Sequence, residues 1–145
     1  MKLVGKHIDR ELYYFDLESE LVNLKNYNDW ILLLIGNSNL NEAYISNVFK
    51  TCIEYGISEF RAQGTKGDRL ELLFDLTMVD LAIEKDTYYD ISTVNSTDLE
   101  SAVWECFYTT NFENIKIFCT TSDKADYLNK IQNIFNKIKS GWTPE

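Results

Sequence analysis

Six consecutive large apolar residues constrain the fold of this chain more than any other feature. They form the segment Trp30–Ile35, which follows Asp29 and precedes Gly36 and Asn37. An apolar run this short and continuous is typical of a strand that is buried on both faces. Strands of that kind occur mainly in parallel sheets covered by helices. The sequence therefore predicts an α/β domain organised around Trp30–Ile35.

Strand-like and helix-like segments alternate from Trp30 onward. We predict further strands over residues 57–62, 88–94 and 115–120. Strands separated by single helices return parallel to one another. The expected fold is therefore a three-layer α/β/α sandwich with a mainly parallel sheet of four or more strands. The Trp30–Ile35 strand is central in it, and the strand order, counted from Trp30, is 2-1-3-4.

Residues that commonly cap helices mark the predicted ends of the helices between these strands. The predicted N-caps are Asn39 or Asn41, Asp68 with Glu71, Thr97 with Glu100, and Ser122 or Asp123. Gly56 and Gly141 are predicted stops, and residues 111–114 are expected to end the third helix.

The first 28 residues carry weaker patterns. Lys2–Val4 is a candidate edge strand, residues 11–17 a short strand and residues 19–25 a helical turn. At this length we expect one domain over residues 1–145, with residues 1–28 packing on it and residues 142–145 as a tail.

Charge and composition narrow the class of function. The net charge is −9, although residues 115–145 hold five Lys against three acidic residues. Nucleic-acid affinity comes largely from basic side chains, so we expect no nucleic-acid partner. No apolar run is long enough for a membrane span or a secretory signal, so we expect a cytoplasmic protein. The abundance of Asn, Lys, Ile, Tyr and Phe indicates an AT-rich, bacterial gene.

No catalytic or metal-binding motif appears along the chain. Cys52, Cys106 and Cys119 occupy apolar positions of predicted elements, and His7 is the only histidine. We therefore expect buried thiols, no metal site, no cofactor and no enzymatic activity.

Polar loops are expected where a parallel sheet binds ligands, beyond the carboxyl ends of its strands. With the order 2-1-3-4, the switch in strand order would bring Asn37 and Asn39 near Asn95 and Asp98. These side chains suit a small polar ligand, and they equally suit turns and helix caps.

The helix predicted over residues 68–85 is unusual because it carries two apolar stripes. Leu72, Leu76, Val79 and Ile83 form one stripe; Leu70, Phe74 and Leu81 form the other, nearly opposite. Either the second stripe is covered by residues 12–24 or the helix kinks, or else this surface binds a partner. In the last case the predicted partner-binding residues are Phe74, Asp75, Asp80, Glu84, Tyr88 and Tyr89.

Two segments carry a resemblance to a known family. Trp-Ile-Leu-Leu-Leu-Ile-Gly over residues 30–36 and Asp-Leu-Glu-Ser-Ala-Val-Trp over residues 98–104 resemble an uncharacterised family of small bacterial α/β domains. That family has no established activity to carry over. In size, acidity and composition the chain is also similar to immunity proteins of bacterial toxin systems, a likeness of class without a shared motif.

These features favour a non-enzymatic protein-binding module, most concretely an immunity protein that neutralises a cognate, basic toxin. The alternative is a small-molecule or nucleotide-binding domain, possibly an enzyme, that uses the loops at the strand ends. Monomeric and homodimeric states both remain open.

Overall fold

The computed structural model describes residues 1–96, 98–109 and 114–145, which include six strands in one sheet. The strands are β1 (Lys2–His7), β2 (Arg10–Tyr14), β3 (Trp30–Ile35), β4 (Glu59–Gln63), β5 (Ser92–Ser96) and β6 (Lys116–Thr121). The helices are α1 (Leu17–Glu20), α2 (Glu42–Glu54), α3 (Gly67–Lys85), α4 (Leu99–Tyr108) and α5 (Leu128–Lys139), and a 3-10 helix, Leu21–Asn26, follows α1.

The sheet has the order β1-β2-β6-β3-β4-β5, and all neighbours are parallel except β1 and β2. Every residue of β3 is buried, between β6 on one side and β4 on the other. α2 and α3 cover one face of the sheet and α4 and α5 the other. The predicted α/β/α sandwich with Trp30–Ile35 at its centre is confirmed.

The predicted strand order is wrong. In the numbering from Trp30 it is 4-1-2-3, because β6 lies beside β3 and β5 lies at the edge. The physical reason is burial. Ile117, Phe118 and Cys119 of β6 are fully buried, as an interior strand requires, whereas β5 is polar and mostly half-buried. The predicted third strand is also displaced, since β5 begins only at Ser92.

The N-terminal segment belongs to the sheet itself. β1 and β2 form an antiparallel pair, and β2 then pairs in parallel with β6. Phe15, Leu17 and Leu24, which follow β2, are buried under the same face as α2 and α3. The predicted edge strand at Lys2–Val4 and the short strand that follows it are therefore confirmed, and together they extend the sheet.

The predicted helix caps have mixed outcomes. The Asn41 side chain accepts the Tyr44 N–H at 3.2 Å and begins α2, and Gly56 ends that helix with φ of 83°. α3 begins without the predicted Asp68–Glu71 box, because the Asp68 carboxylate accepts a hydrogen bond from the side chain of Asn95 instead.

The other two predicted caps are displaced by one or more residues. Asp98 caps α4 by accepting the Ser101 N–H at 2.8 Å, while Thr97 and most of the predicted end, residues 111–114, lie outside the described residues. α5 begins at Leu128, later than Ser122 or Asp123, because the Asp123 carboxylate is bonded within the preceding loop. None of the helices that the structure describes is long and apolar enough to cross a membrane.

Candidate functional site

α3 is a continuous 19-residue helix that exposes a row of large apolar side chains opposite the core. Its inner face buries Leu70, Phe74 and Leu81 almost completely. The outer row, which we call the α3 stripe, consists of Leu72, Leu76, Val79 and Ile83, with exposed fractions of 46%, 50%, 52% and 77%. The spacing i, i+4, i+7, i+11 places all four on one helix face. The two predicted stripes are confirmed.

The two structural explanations for a second stripe are wrong. The stripe from Leu70 to Leu81 is buried, and the opposite one is exposed, over both halves of α3, so no kink redirects half of the helix. Residues 12–24 do not shield the stripe, because the four side chains are about half exposed or more while Leu12, Leu17 and Leu24 are buried elsewhere in the core.

Acidic side chains flank the α3 stripe on both sides. At 100° per residue, Asp68 and Asp75 lie along one flank and Asp80 and Glu84 along the other. Asp68, Asp80 and Glu84 are exposed, and Asp75 is half-buried and accepts a 2.8 Å hydrogen bond from the Thr93 hydroxyl. The stripe therefore has an acidic rim.

Arg69, which follows Asp68 in the sequence, is paired with a carboxylate outside the rim. Arg69 donates from Nε and Nη2 to both carboxylate oxygens of Glu42, at 2.8 and 2.6 Å. This bidentate pair joins the first turns of α3 and α2 and leaves the four rim acids without Arg69 as a counter-charge.

The predicted partner-binding residues divide into two groups. The assignment of Phe74 to the surface is wrong, because its ring is buried and stacks on Phe60 with the ring centroids 4.5 Å apart. Tyr89 also packs against the core. Tyr88, just beyond the end of α3, is 85% exposed, and Asp80 and Glu84 face solvent.

A shallow groove between α2 and α3 adjoins the stripe. It has a volume of about 340 Å³ and a lining of Ser46, Asn47, Lys50, Leu73, Leu76, Thr77, Asp80, Leu81 and Glu84. Leu76 belongs to both the groove and the stripe, so the apolar surface continues from the crest of α3 down toward α2.

A larger groove, of about 920 Å³, lies at the carboxyl ends of β2 and β6. The chain leaves β2 and β3 toward the face covered by α1 and α2, but leaves β6 toward the face covered by α5. Divergence of that kind opens a crevice at the strand ends, the usual ligand position of an open α/β sheet. We call this crevice the switch groove.

The switch groove differs from the predicted ligand rim. Of the predicted residues only Asn39 lines it. Asn37 is used structurally, since its amide donates to the Tyr127 hydroxyl at 2.8 Å and accepts the Thr65 N–H at 2.9 Å. Asn95 and Asp98 lie at the end of the edge strand β5, away from the switch, because the strand order is not the predicted one.

The charged lining of the switch groove is mostly engaged in holding the fold together. It contains five acidic residues against Lys2, Lys124 and the amino terminus. Asp16 caps α1 by accepting from the hydroxyl and N–H of Ser19, which lowers the pKa of its carboxyl group, and Glu20 pairs with the amino terminus. Among the described residues, no group of three or more His, Cys, Asp or Glu side chains is placed to hold a metal ion.

The three cysteines are free and buried, as predicted. Burial raises the pKa of both Cys52 and Cys106 to about 12, so these thiols stay protonated and are poor nucleophiles.

Sequence reasoning missed a buried ionic cluster beneath α4. Arg61 donates to Glu59 and to Glu105, both at 2.8 Å, and also to the Thr109 hydroxyl at 2.8 Å. Its side chain is only 4% exposed. The sequence signal for this cluster is the alternation of Glu59, Arg61 and Gln63 in β4. Such alternation is typical of an edge strand, but β4 is buried, and the polar side chains on this face form hydrogen bonds with one another and with α4.

No protein-family model matches the sequence, and no curated protein shows significant similarity to it.

Proposed function

We propose that this chain is a non-enzymatic protein-binding module that uses the α3 stripe, and most concretely an immunity protein that binds and neutralises a cognate bacterial toxin. The observation that carries the proposal is the stripe itself, four large aliphatic side chains in one row, each 46% exposed or more. Contiguous apolar surface with a polar rim is typical of protein-binding sites, whereas single exposed apolar residues are ordinary.

Charge supports a basic partner. The chain has a net charge of −9, and the stripe is flanked by acidic residues on both sides. Complementary charge accelerates encounter with a basic protein and discriminates against acidic ones. Many toxins that act on nucleic acid are basic for the same electrostatic reason that nucleic-acid-binding proteins are.

The test is co-expression with the product of the adjacent gene, scored by co-purification and by protection of the host cell. We expect complex formation and protection with the wild-type chain and loss of both with Leu76→Gln/Val79→Gln. The matched control is Leu3→Gln, which removes an equally exposed leucine, at 49%, from β1. Absence of any complex, or protection that survives in the α3 double variant, would contradict the proposal.

The switch groove favours a second candidate function, the binding of a small polar ligand. Its volume of about 920 Å³ is comparable with that of known ligand sites, and it lies where such sites occur in open α/β sheets. Because acidic residues outnumber basic ones in its lining, a cationic or neutral ligand fits better than a nucleotide. A panel of such ligands should raise the melting temperature if this candidate is correct. A panel without effect would count against it.

A further inference from the structure

The α3 stripe has the dimensions of a helix-binding surface. Leu72 and Ile83 are eleven residues apart, so the row is about 16 Å long, or three helical turns. It is one side chain wide, and the groove between α2 and α3 runs along it and shares Leu76. An amphipathic helix presents apolar side chains with the same spacing and rise, which suits this row better than an irregular loop.

The rim sets the charge of the occupant. Asp68 and Asp75 border one side of the row, and Asp80 and Glu84 border the other. A helix lying along the row therefore meets carboxylates on both of its flanks. Lys or Arg side chains on either side of its apolar face would pair with them.

A second copy of this chain fits the surface poorly. If two α3 helices packed antiparallel about the middle of the stripe, the two stripes would match, Leu72 with Ile83 and Leu76 with Val79, and each flank would face the same flank of the other copy. The flank with Asp68 and Asp75 would then face its own acidic counterpart, and so would the flank with Asp80 and Glu84. Like charges in facing positions disfavour this dimer.

We infer that the occupant of the α3 stripe is an amphipathic helix of a partner protein, with basic side chains on both flanks of its apolar face. This inference rests on the proposed function for the location of the binding surface and adds the shape and charge of what binds there. The partner helix covers Leu72, Leu76, Val79 and Ile83, and its basic side chains pair with the four rim acids.

A synthetic probe tests the inference on the full chain. The probe is an 18-residue helical peptide of Leu and Lys with one apolar face and lysines on both flanks, and its control replaces every Lys with Glu. Binding is measured by fluorescence anisotropy at 50 and 200 mM NaCl. We expect saturable one-to-one binding of the Lys peptide, weaker at the higher salt concentration, and none of the Glu peptide.

Variants separate specific binding from attraction to an acidic protein. The double variant Leu76→Gln/Val79→Gln should lower the affinity for the Lys peptide at least tenfold. The triple variant Asp75→Asn/Asp80→Asn/Glu84→Gln should lower it severalfold. The charge-matched control Asp9→Asn/Glu18→Gln/Glu145→Gln removes three exposed acids from other elements and should leave the affinity unchanged. Equal effects of the two triple variants, or wild-type affinity of the α3 double variant, would overturn the inference.

The outcomes distinguish this inference from the proposed function. If the toxin complex depends on the α3 stripe but the peptide does not bind there, the helical occupant is refuted and the proposed function stands. If the peptide binds the stripe but no adjacent gene product does, the immunity role is refuted and the helix-binding surface stands. A dimer in light scattering that Leu76→Gln/Val79→Gln abolishes would assign the surface to a second copy and refute the helical partner.

Discussion

Replacement of Arg61 by Met should destabilise this protein more than most single changes. The guanidinium group lies between Glu59 and Glu105, donates to each at 2.8 Å and is almost entirely buried. Met fills a similar volume but carries no charge. It leaves the carboxylate of Glu59, whose side chain is 8% exposed, without the cation to which it is hydrogen-bonded, although the charge of Arg10 still acts on it.

The magnitude follows from the burial of that carboxylate. Breaking a buried ion pair by removing one partner typically costs about 3–5 kcal/mol, because an uncompensated charge remains in the interior. Glu105 adds less, since its side chain is 28% exposed and keeps a hydrogen bond from the Ser96 hydroxyl at 3.0 Å. We therefore expect a loss of about 4 kcal/mol in the free energy of unfolding.

Urea unfolding followed by circular dichroism measures the loss. With a slope of about 2 kcal/mol per M, the midpoint should fall by about 2 M. The double variant Glu59→Gln/Arg61→Met removes the orphaned charge and should recover part of the stability. A loss below about 1 kcal/mol in Arg61→Met, or a double variant less stable than the single one, would refute this reasoning.

Three smaller predictions test the surface, a helix cap and a thiol. Leu76→Gln and Val79→Gln should each change the free energy of unfolding by less than about 0.5 kcal/mol, whereas Phe74→Ala should cost about 3–5 kcal/mol, as urea unfolding will show. Asp98→Ala should cost about 1 kcal/mol in the same assay, because the cap bond to α4 is lost; an unchanged midpoint would contradict the assigned cap. Burial raises the pKa of Cys52 to about 12. Above about pH 9 the unfolded chain therefore releases a proton that the folded chain keeps. The free energy of unfolding then falls as the pH rises, by about 1.4 kcal/mol per pH unit for this thiol. Cys52→Ala should make the decline in stability between pH 9 and 10 shallower, and an equal decline in both proteins would contradict the assignment.

Local patterns were enough to predict the layers of the fold. The apolar run of Trp30–Ile35 and the periodicity of α2 depend on neighbours in sequence, and both appear as predicted. The strand order depends on contacts between distant segments, such as the pairing of Leu32 with Phe118, which no local pattern encodes. Tyr88 and Tyr89 favour a strand by propensity, yet pairing with β4 begins only at Ser92.

The candidate surface was partly predictable for the same reason. Helical periodicity separated the two stripes of α3 but did not decide which one faces the core. Periodicity alone therefore allows Phe74 on the partner surface, although in the structure its ring packs on the aromatic rings of Phe49 and Phe60. The predicted ligand rim does not coincide with the switch groove, because the position of such a groove follows from the strand order.

The central claim is that the α3 stripe is the surface that binds a basic protein partner. Titration calorimetry of the adjacent gene product against the wild-type chain and against Leu76→Gln/Val79→Gln tests it most directly. Loss of two central apolar contacts should weaken the complex at least about 30-fold, corresponding to about 2 kcal/mol, while both chains remain equally folded. Equal affinities of the two folded chains for that product would contradict the claim.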